Sequence, residues 1–152
     1  LAFQSKLGFI YARISLLFTM FMFGLYLGSK LAQKLEKTDS LKLLMAIQAG
    51  FVLLLVLSRL GLSSEIEAIY YFLLLMMGVL GGAIFSTSNV LLLNLRASYG
   101  LGYALDLFGS FLGALLASSI FIPLLGLNLL FLLLIIMNSF GLLYLLVMNF
   151  SK

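Results

Sequence analysis

The sequence predicts an all-α integral membrane protein, a polytopic helix bundle with about five transmembrane helices. Of its 152 residues, 64% are hydrophobic and only 9% are charged, whereas about 25% of a soluble domain is charged. Its apolar segments are near or above the roughly 20 residues that cross a hydrocarbon core of about 30 Å. They should be helical, because unpaired backbone groups are too costly in lipid. We expect residues 1–152 to form a single transmembrane domain, incomplete at its N-terminus because the chain starts at Leu1.

Local sequence chemistry separates the predicted helices, which span 9–34, 41–60, 67–94, 101–124 and 127–149. The polar stretch KLEKTDSLK follows the first helix, and Asp39 or Ser40 can cap the second. Ser63 or Ser64 can cap the third helix, and NLRASYG separates the third from the fourth. In PLLGLN, Pro123 is expected to end the fourth helix and Gly126 to form the turn.

Composition excludes several classes of function. The sequence has no cysteine and no histidine, so the usual ligands of haem, zinc and iron–sulfur clusters are missing and no metal or cofactor is expected. The net charge of +4 comes from basic residues beside apolar segments, which indicates membrane topology rather than nucleic-acid binding. No catalytic residue is expected, because the carboxylates outside the fourth helix fall in predicted loops or at helix ends: Glu36, Asp39, Glu65 and Glu67.

The distribution of lysine and arginine predicts orientation in a bacterial inner (plasma) membrane. With five spans, one side carries the larger basic set: Lys30, Lys34, Lys37, Lys42, Arg96 and Lys152. The opposite side carries Lys6, Arg13 and Arg59. Because the basic side faces the cytoplasm, we expect the N-terminus outside and the C-terminus in the cytoplasm.

Small residues recur at helical spacing on three predicted helices. On the fourth, Gly102, Asp106, Gly109 and Gly113 share one face. Small faces let membrane helices approach closely, so these glycines are predicted to pack against other helices, with direct contact to a ligand as the alternative. The same holds for Gly24 and Gly28 on the first helix and for Gly78, Gly81 and Gly82 on the third.

Three segments carry a resemblance to a known family. They are LGFIYARISLLFTMFMFGLYLGSKLAQKL (7–35), GVLGGAIFSTSNVLLLN (78–94) and GLGYALDLFGSFLGALLASSIFIPLLGL (100–127). In this order they resemble the membrane domain of bacterial spermidine synthase-like proteins, where it precedes a soluble aminopropyltransferase domain. The resemblance implies the fold of the membrane domain only, because the chain has no nucleotide-binding glycine loop and no acidic pair for a polyamine.

Asp106 is the main candidate functional residue, because a carboxylate within a membrane helix needs a partner, water or a buried face. One interpretation is an ion pair with Arg96 or Lys30, or a hydrogen bond to a hydroxyl such as that of Tyr103 or Ser110. A second is a proton or cation site in a hydrated cavity against the glycine faces of helices one and three. A third is contact with a polar headgroup or a partner subunit. Asn89 and Asn94 are further candidates if they line a cavity near Asp106.

Two functional hypotheses follow. The first is a structural or accessory subunit that packs in, or anchors, a larger membrane complex, with the lipid bilayer and other membrane subunits as partners. The alternative is the membrane module of a spermidine synthase-like protein that handles or transports a small cation or polyamine-like solute.

Overall fold

The chain is built from long helices joined by short connections in a computed structural model, which describes residues 2–35, 39–61, 67–94 and 100–150. A π-helical turn, Ala117–Phe121, joins the fourth helix to the fifth. The helices are α1 (Ala2–Leu35), α2 (Ser40–Gly61), α3 (Glu67–Asn94), α4 (Leu101–Leu116) and α5 (Ile122–Phe150). The predicted all-α fold is confirmed.

Four helices of the described part of the chain are long and apolar enough to cross a membrane, which supports a multi-pass membrane protein. The last of them runs from Leu101 to Asn149 over 49 residues and contains both the fourth and the fifth predicted spans. At about 1.5 Å per residue, a straight helix of this length would be more than twice as long as the hydrocarbon core is thick. Gly126 interrupts it with φ 69° and ψ 171°, so the segment consists of two arms, 101–125 and 127–150.

The connection between these arms differs from the prediction at Pro123. The helix does not end at this residue: Ile122 is helical, with φ −65° and ψ −47°, and Pro123 lies in the first turn of α5. A proline lacks an N–H donor and crowds the preceding turn, and that turn here is the wider π-helical one. The predicted break at Gly126 is confirmed, because glycine takes a positive φ without a Cβ clash.

The start of α2 follows the predicted cap. The backbone N–H of Leu43 donates to the carbonyl of Asp39 at 3.0 Å, which makes Asp39 the residue that caps the helix. The Asp39 carboxylate also pairs with Lys42 at 3.7 Å. The caps predicted for α3, Ser63 and Ser64, lie outside the described residues.

The bundle is centred on α3, which packs against α1, α2 and the start of α4. Two Gly-x-x-x-Gly segments face each other between α1 and α3. A Cβ added to Gly24 would lie 3.1 Å from the Cα of Gly78, and one added to Gly28 would overlap the backbone of Val79. The two helices are parallel, because residues later in α1 meet residues later in α3: Gly78 faces Phe21 and Gly82 faces Leu25. This is the close backbone packing that small residues allow in lipid.

Candidate functional site

Asp106 lies in the second turn of α4 and is exposed. Its side chain lines two open grooves, one on each side of the start of α4. The first, named here the α1/α4 groove, has a volume of about 740 Å³ and lies between α1, α3 and α4. The second, the α2/α4 groove, has a volume of about 520 Å³ and is bounded by α2, α3, α4 and α5. Asp106 therefore stands where two grooves meet.

Polar side chains line the two outer walls of the α1/α4 groove, and small residues form part of the floor between them. Gly81 and Gly82 of α3 form part of the floor. The polar wall residues used below are Tyr26, Ser29 and Lys30 of α1 and Tyr103, Asp106 and Ser110 of α4. The carboxylate thus faces a cavity lined by Gly81 and Gly82 of α3, as the second interpretation of Asp106 requires for α3. The glycines of α1 do not line this cavity, because Gly24 and Gly28 are packed against the α3 backbone.

The predicted ion pair between Asp106 and Lys30 does not form, although both residues line the α1/α4 groove. Instead, Lys30 Nζ donates to the Tyr26 hydroxyl at 2.8 Å and lies 5.1 Å from the centre of the Tyr26 ring. This partner is one turn away on the same helix, whereas the groove separates Lys30 from α4. The other predicted partner, Arg96, lies outside the described residues.

Polar side chains from four helices line the α2/α4 groove: amides and hydroxyls from α2, α3 and α5 and a carboxylate from α4. Its polar residues are Gln48, Ser88, Asn89, Asp106 and Asn138. Of the two asparagines expected near Asp106, Asn89 lines this groove, and a Cβ added to Gly102 would overlap its side-chain amide. Asn94 is exposed at the end of α3 and lines neither groove, because α3 carries it beyond the start of α4.

An interhelical amide pair in this groove was not predicted from the sequence. Gln48 Nε2 of α2 donates to Asn138 Oδ1 of α5 at 3.0 Å, and Asn138 Nδ2 donates to the carbonyl of Leu134 at 2.9 Å. Gly141 lies beside the same Gln48 amide. The available signal was that Asn138 is an amide inside the apolar run FLLLIIMNSFGLL (131–143), where membrane helices often use such a group to contact one another.

The predicted packing face on α4 is correct only at its beginning. Gly102 contacts Asn89 and Leu92 of α3, but the space around Gly109 and Gly113 holds no described atom within 4 Å of an added Cβ. No residue of Leu101–Leu116 is buried. The expectation that Gly109 and Gly113 pack against another helix of this chain therefore does not hold among the described residues, because α4 meets α3 only near its start.

The hydroxyls inside the bundle have local roles. Thr87 is buried, and its Oγ1 donates to the carbonyl of Ala83 at 2.9 Å. Ser58 is buried as well and donates to the carbonyl of Leu54 at 2.8 Å. These bonds to the preceding turn satisfy each hydroxyl within its own helix.

The chemistry of the site thus depends on one carboxylate, one ammonium group, amides and hydroxyls. Within the described ranges, His, Cys, Asp and Glu form no group of three or more that could hold a metal ion. No family model, curated protein or solved structure matches this chain.

Proposed function

We propose that this chain is a structural membrane module that packs within, or anchors, a larger membrane assembly. The observation that carries the proposal is the uncovered small-residue face of α4, where Gly109 and Gly113 have open space around them. Lipid tails are as apolar as the helix, so hydrophobicity gives helices little reason to associate in a membrane, and close contact at small residues supplies the attraction. An uncovered face of this kind suits a helix from a partner.

The resemblance to the membrane domain of spermidine synthase-like proteins points in the same direction. In such proteins the membrane domain precedes a soluble aminopropyltransferase domain. By analogy, we propose that this chain supplies the membrane part of an assembly rather than its chemistry.

Copurification of the full chain with matched variants tests this proposal. We expect a stoichiometric partner that is lost in Gly109→Leu and Gly113→Leu, because the added side chain holds the partner helix away. Ala104→Leu, a similar enlargement on the opposite face of α4, should keep the partner. A chain that remains without a partner in mild detergent, or equal loss in all three variants, would contradict the proposal.

The second candidate function is the handling of a small cation or polyamine-like solute at Asp106. The position of Asp106 favours it, since the carboxylate lines both grooves beside hydroxyls and amides. In vesicles containing the full chain, we expect spermidine uptake that Asp106→Asn abolishes and Asp39→Asn, at an exposed loop carboxylate, leaves unchanged. Uptake insensitive to Asp106→Asn would exclude this role.

We further propose a location in the inner membrane of a bacterium, with the N-terminus outside and the C-terminus in the cytoplasm. The excess of basic residues beside the 34–42 and 94–100 loops supports this orientation. In intact cells, cysteines placed at Thr38 and Ser98 should resist an impermeant thiol reagent, while one at Ser64 should react. The reverse pattern would invert the topology.

A further inference from the structure

Two opposite charges lie at about the same depth on the two walls of the α1/α4 groove. Lys30 precedes the end of α1 at Leu35, and Asp106 follows the start of α4 at Leu101, by the same number of residues. At 1.5 Å per residue, each charge is roughly 7–8 Å from its helix end. Because α1 and α3 are parallel and α4 begins beside the end of α3, these helix ends lie on one side of the bundle. Helix ends that mark the edge of the hydrocarbon core would therefore place both charges near the level of lipid headgroups.

Neither charge is neutralised by the other described residues. Lys30 donates to the Tyr26 hydroxyl, which leaves further N–H donors of its ammonium group available. Asp106 forms no ion pair with any residue in the described ranges. A carboxylate and an ammonium group that face one cavity without pairing are suited to a ligand that carries both opposite charges.

Apart from Ser110 of α4, the deeper part of the same groove is mainly apolar. Phe21 and Leu25 of α1 and Phe85 of α3 line it, and Phe21 and Leu25 lie further from the end of α1 than Lys30 does. The groove volume of about 740 Å³ is within the range of about 300–1,000 Å³ typical of small-molecule sites. Because α4 has no buried residue, the groove is open beside α4 to the surrounding bilayer.

We infer that the α1/α4 groove binds an ammonium–phosphate zwitterion, supplied by a phospholipid with an ethanolamine headgroup. The phosphate accepts hydrogen bonds from Lys30 Nζ, and the primary ammonium donates to the Asp106 carboxylate. The first acyl segment lies against Leu25 and Phe21. Free phosphoethanolamine has the same two charges but no apolar part for the deeper half of the groove.

This inference and the second candidate function both use Asp106, but they assign it different ligands. The charge of Lys30 distinguishes the two ligands. Its positive charge attracts a phosphate but repels a polyamine, so neutralising it should weaken lipid binding and strengthen polyamine binding.

The test uses the full chain in nanodiscs that contain phosphatidylethanolamine and phosphatidylcholine, with retained lipid measured by native mass spectrometry. We expect retention of phosphatidylethanolamine over phosphatidylcholine, because a quaternary ammonium has no N–H to donate. Asp106→Asn and Lys30→Gln should each reduce this retention about tenfold, the loss of one charge-assisted hydrogen bond. Asp106→Glu should keep it, which separates loss of the carboxylate from failure to fold.

Asp39→Asn and Lys42→Gln are the matched controls, since they make the same charge changes in an exposed ion pair outside the groove. Equal retention of the two lipids by the unmodified chain, or an equal loss in the control variants, would overturn the inference. Free phosphoethanolamine that competes as well as the lipid would overturn the lipid assignment. Spermidine binding that requires Asp106 and rises in Lys30→Gln, without lipid preference, would support the second candidate function instead.

Discussion

The α1–α3 interface and the outer part of α4 carry the same sequence signal in opposite surroundings. Gly24 and Gly28 are buried, and α3 approaches them so closely that an added Cβ would meet backbone atoms. Gly109 and Gly113 have the same spacing, yet both are exposed and have open space around them. The difference shows that small residues at four-residue spacing predict a smooth helix face but do not identify what covers it.

The partner face explains the difference. α1 meets a second Gly-x-x-x-Gly segment on α3, at Gly78 and Gly82, so both backbones can approach. Beside α4, the corresponding wall of α3 carries Asn89 and Leu92, which lie against Gly102 but not against Gly109 or Gly113. A smooth face without a second smooth face in the same chain is left open to lipid or to a partner.

The largest expected effect is at Gly28. Gly28→Leu would place side-chain atoms where the Val79 backbone lies, so we expect a loss of about 3 kcal/mol in the free energy of unfolding through overpacking. Gly109→Leu in the isolated chain should change it by less than about 0.5 kcal/mol, as for an exposed site. Unfolding of each purified variant by SDS titration in detergent measures both values.

Similar losses for the two variants would contradict the difference between the two glycine faces, because they would place a contacting surface beside Gly109 in the isolated chain. If Gly109→Leu leaves the stability of the isolated chain unchanged but prevents partner binding, the glycine face of α4 is open in the chain and covered in the assembly. That pattern would mean that both glycine faces have the same role, one within the chain and one between chains.

A smaller effect is expected at the break between the two arms. Gly126 has φ 69° and ψ 171°, a region that is almost restricted to glycine, so Gly126→Ala should cost about 2 kcal/mol. Open space surrounds its added Cβ, so the loss would come from the backbone and not from packing. Pro123→Ala is the nearby control. If Gly126→Ala melted at the same temperature as the unmodified chain, the two arms could rearrange around a regular helix.

Apolar periodicity and turn residues predicted the helix bounds well where one residue determines where a helix begins, ends or breaks. The bounds of α2 and α3 agree with the predicted 41–60 and 67–94 to within one residue. Asp39 caps the start of α2, and the backbone freedom of Gly126 allows the break. The start of α1 at Ala2 rather than residue 9 could not be read from hydropathy, because residues 2–8 include polar side chains and Gly8, which disfavours a helix. Pro123 was misread because its effect appears in the preceding π-helical turn.

The candidate site was less predictable, since it depends on distances between helices. The sequence placed Asp106 on a small-residue face, and the structure puts that carboxylate in a cavity beside Gly81 and Gly82. It could not show that Lys30 would bind Tyr26 on its own helix instead of crossing the groove. Nor could it pair Gln48 with Asn138, which are 90 residues apart.

The Gln48–Asn138 amide pair is a third kind of contact between helices. Its removal has the smallest of the expected effects. α2 and α5 meet around the Gln48–Asn138 hydrogen bond at 3.0 Å, in contrast to the glycine contact of α1 with α3 and the open face of α4. Gln48→Leu and Asn138→Leu should each cost about 1 kcal/mol, and the double variant should show a coupling energy of about 0.6 kcal/mol. The coupling is modest because Asn138 Nδ2 keeps its bond to the Leu134 carbonyl when Gln48 is removed.

A parallel cycle of Gln48→Leu with Asn94→Leu, an exposed amide outside both grooves, should show no coupling. Equal coupling in the two cycles would mean that the hydrogen bond does not hold α5 to α2, and that the arm after Gly126 is positioned by apolar contact alone.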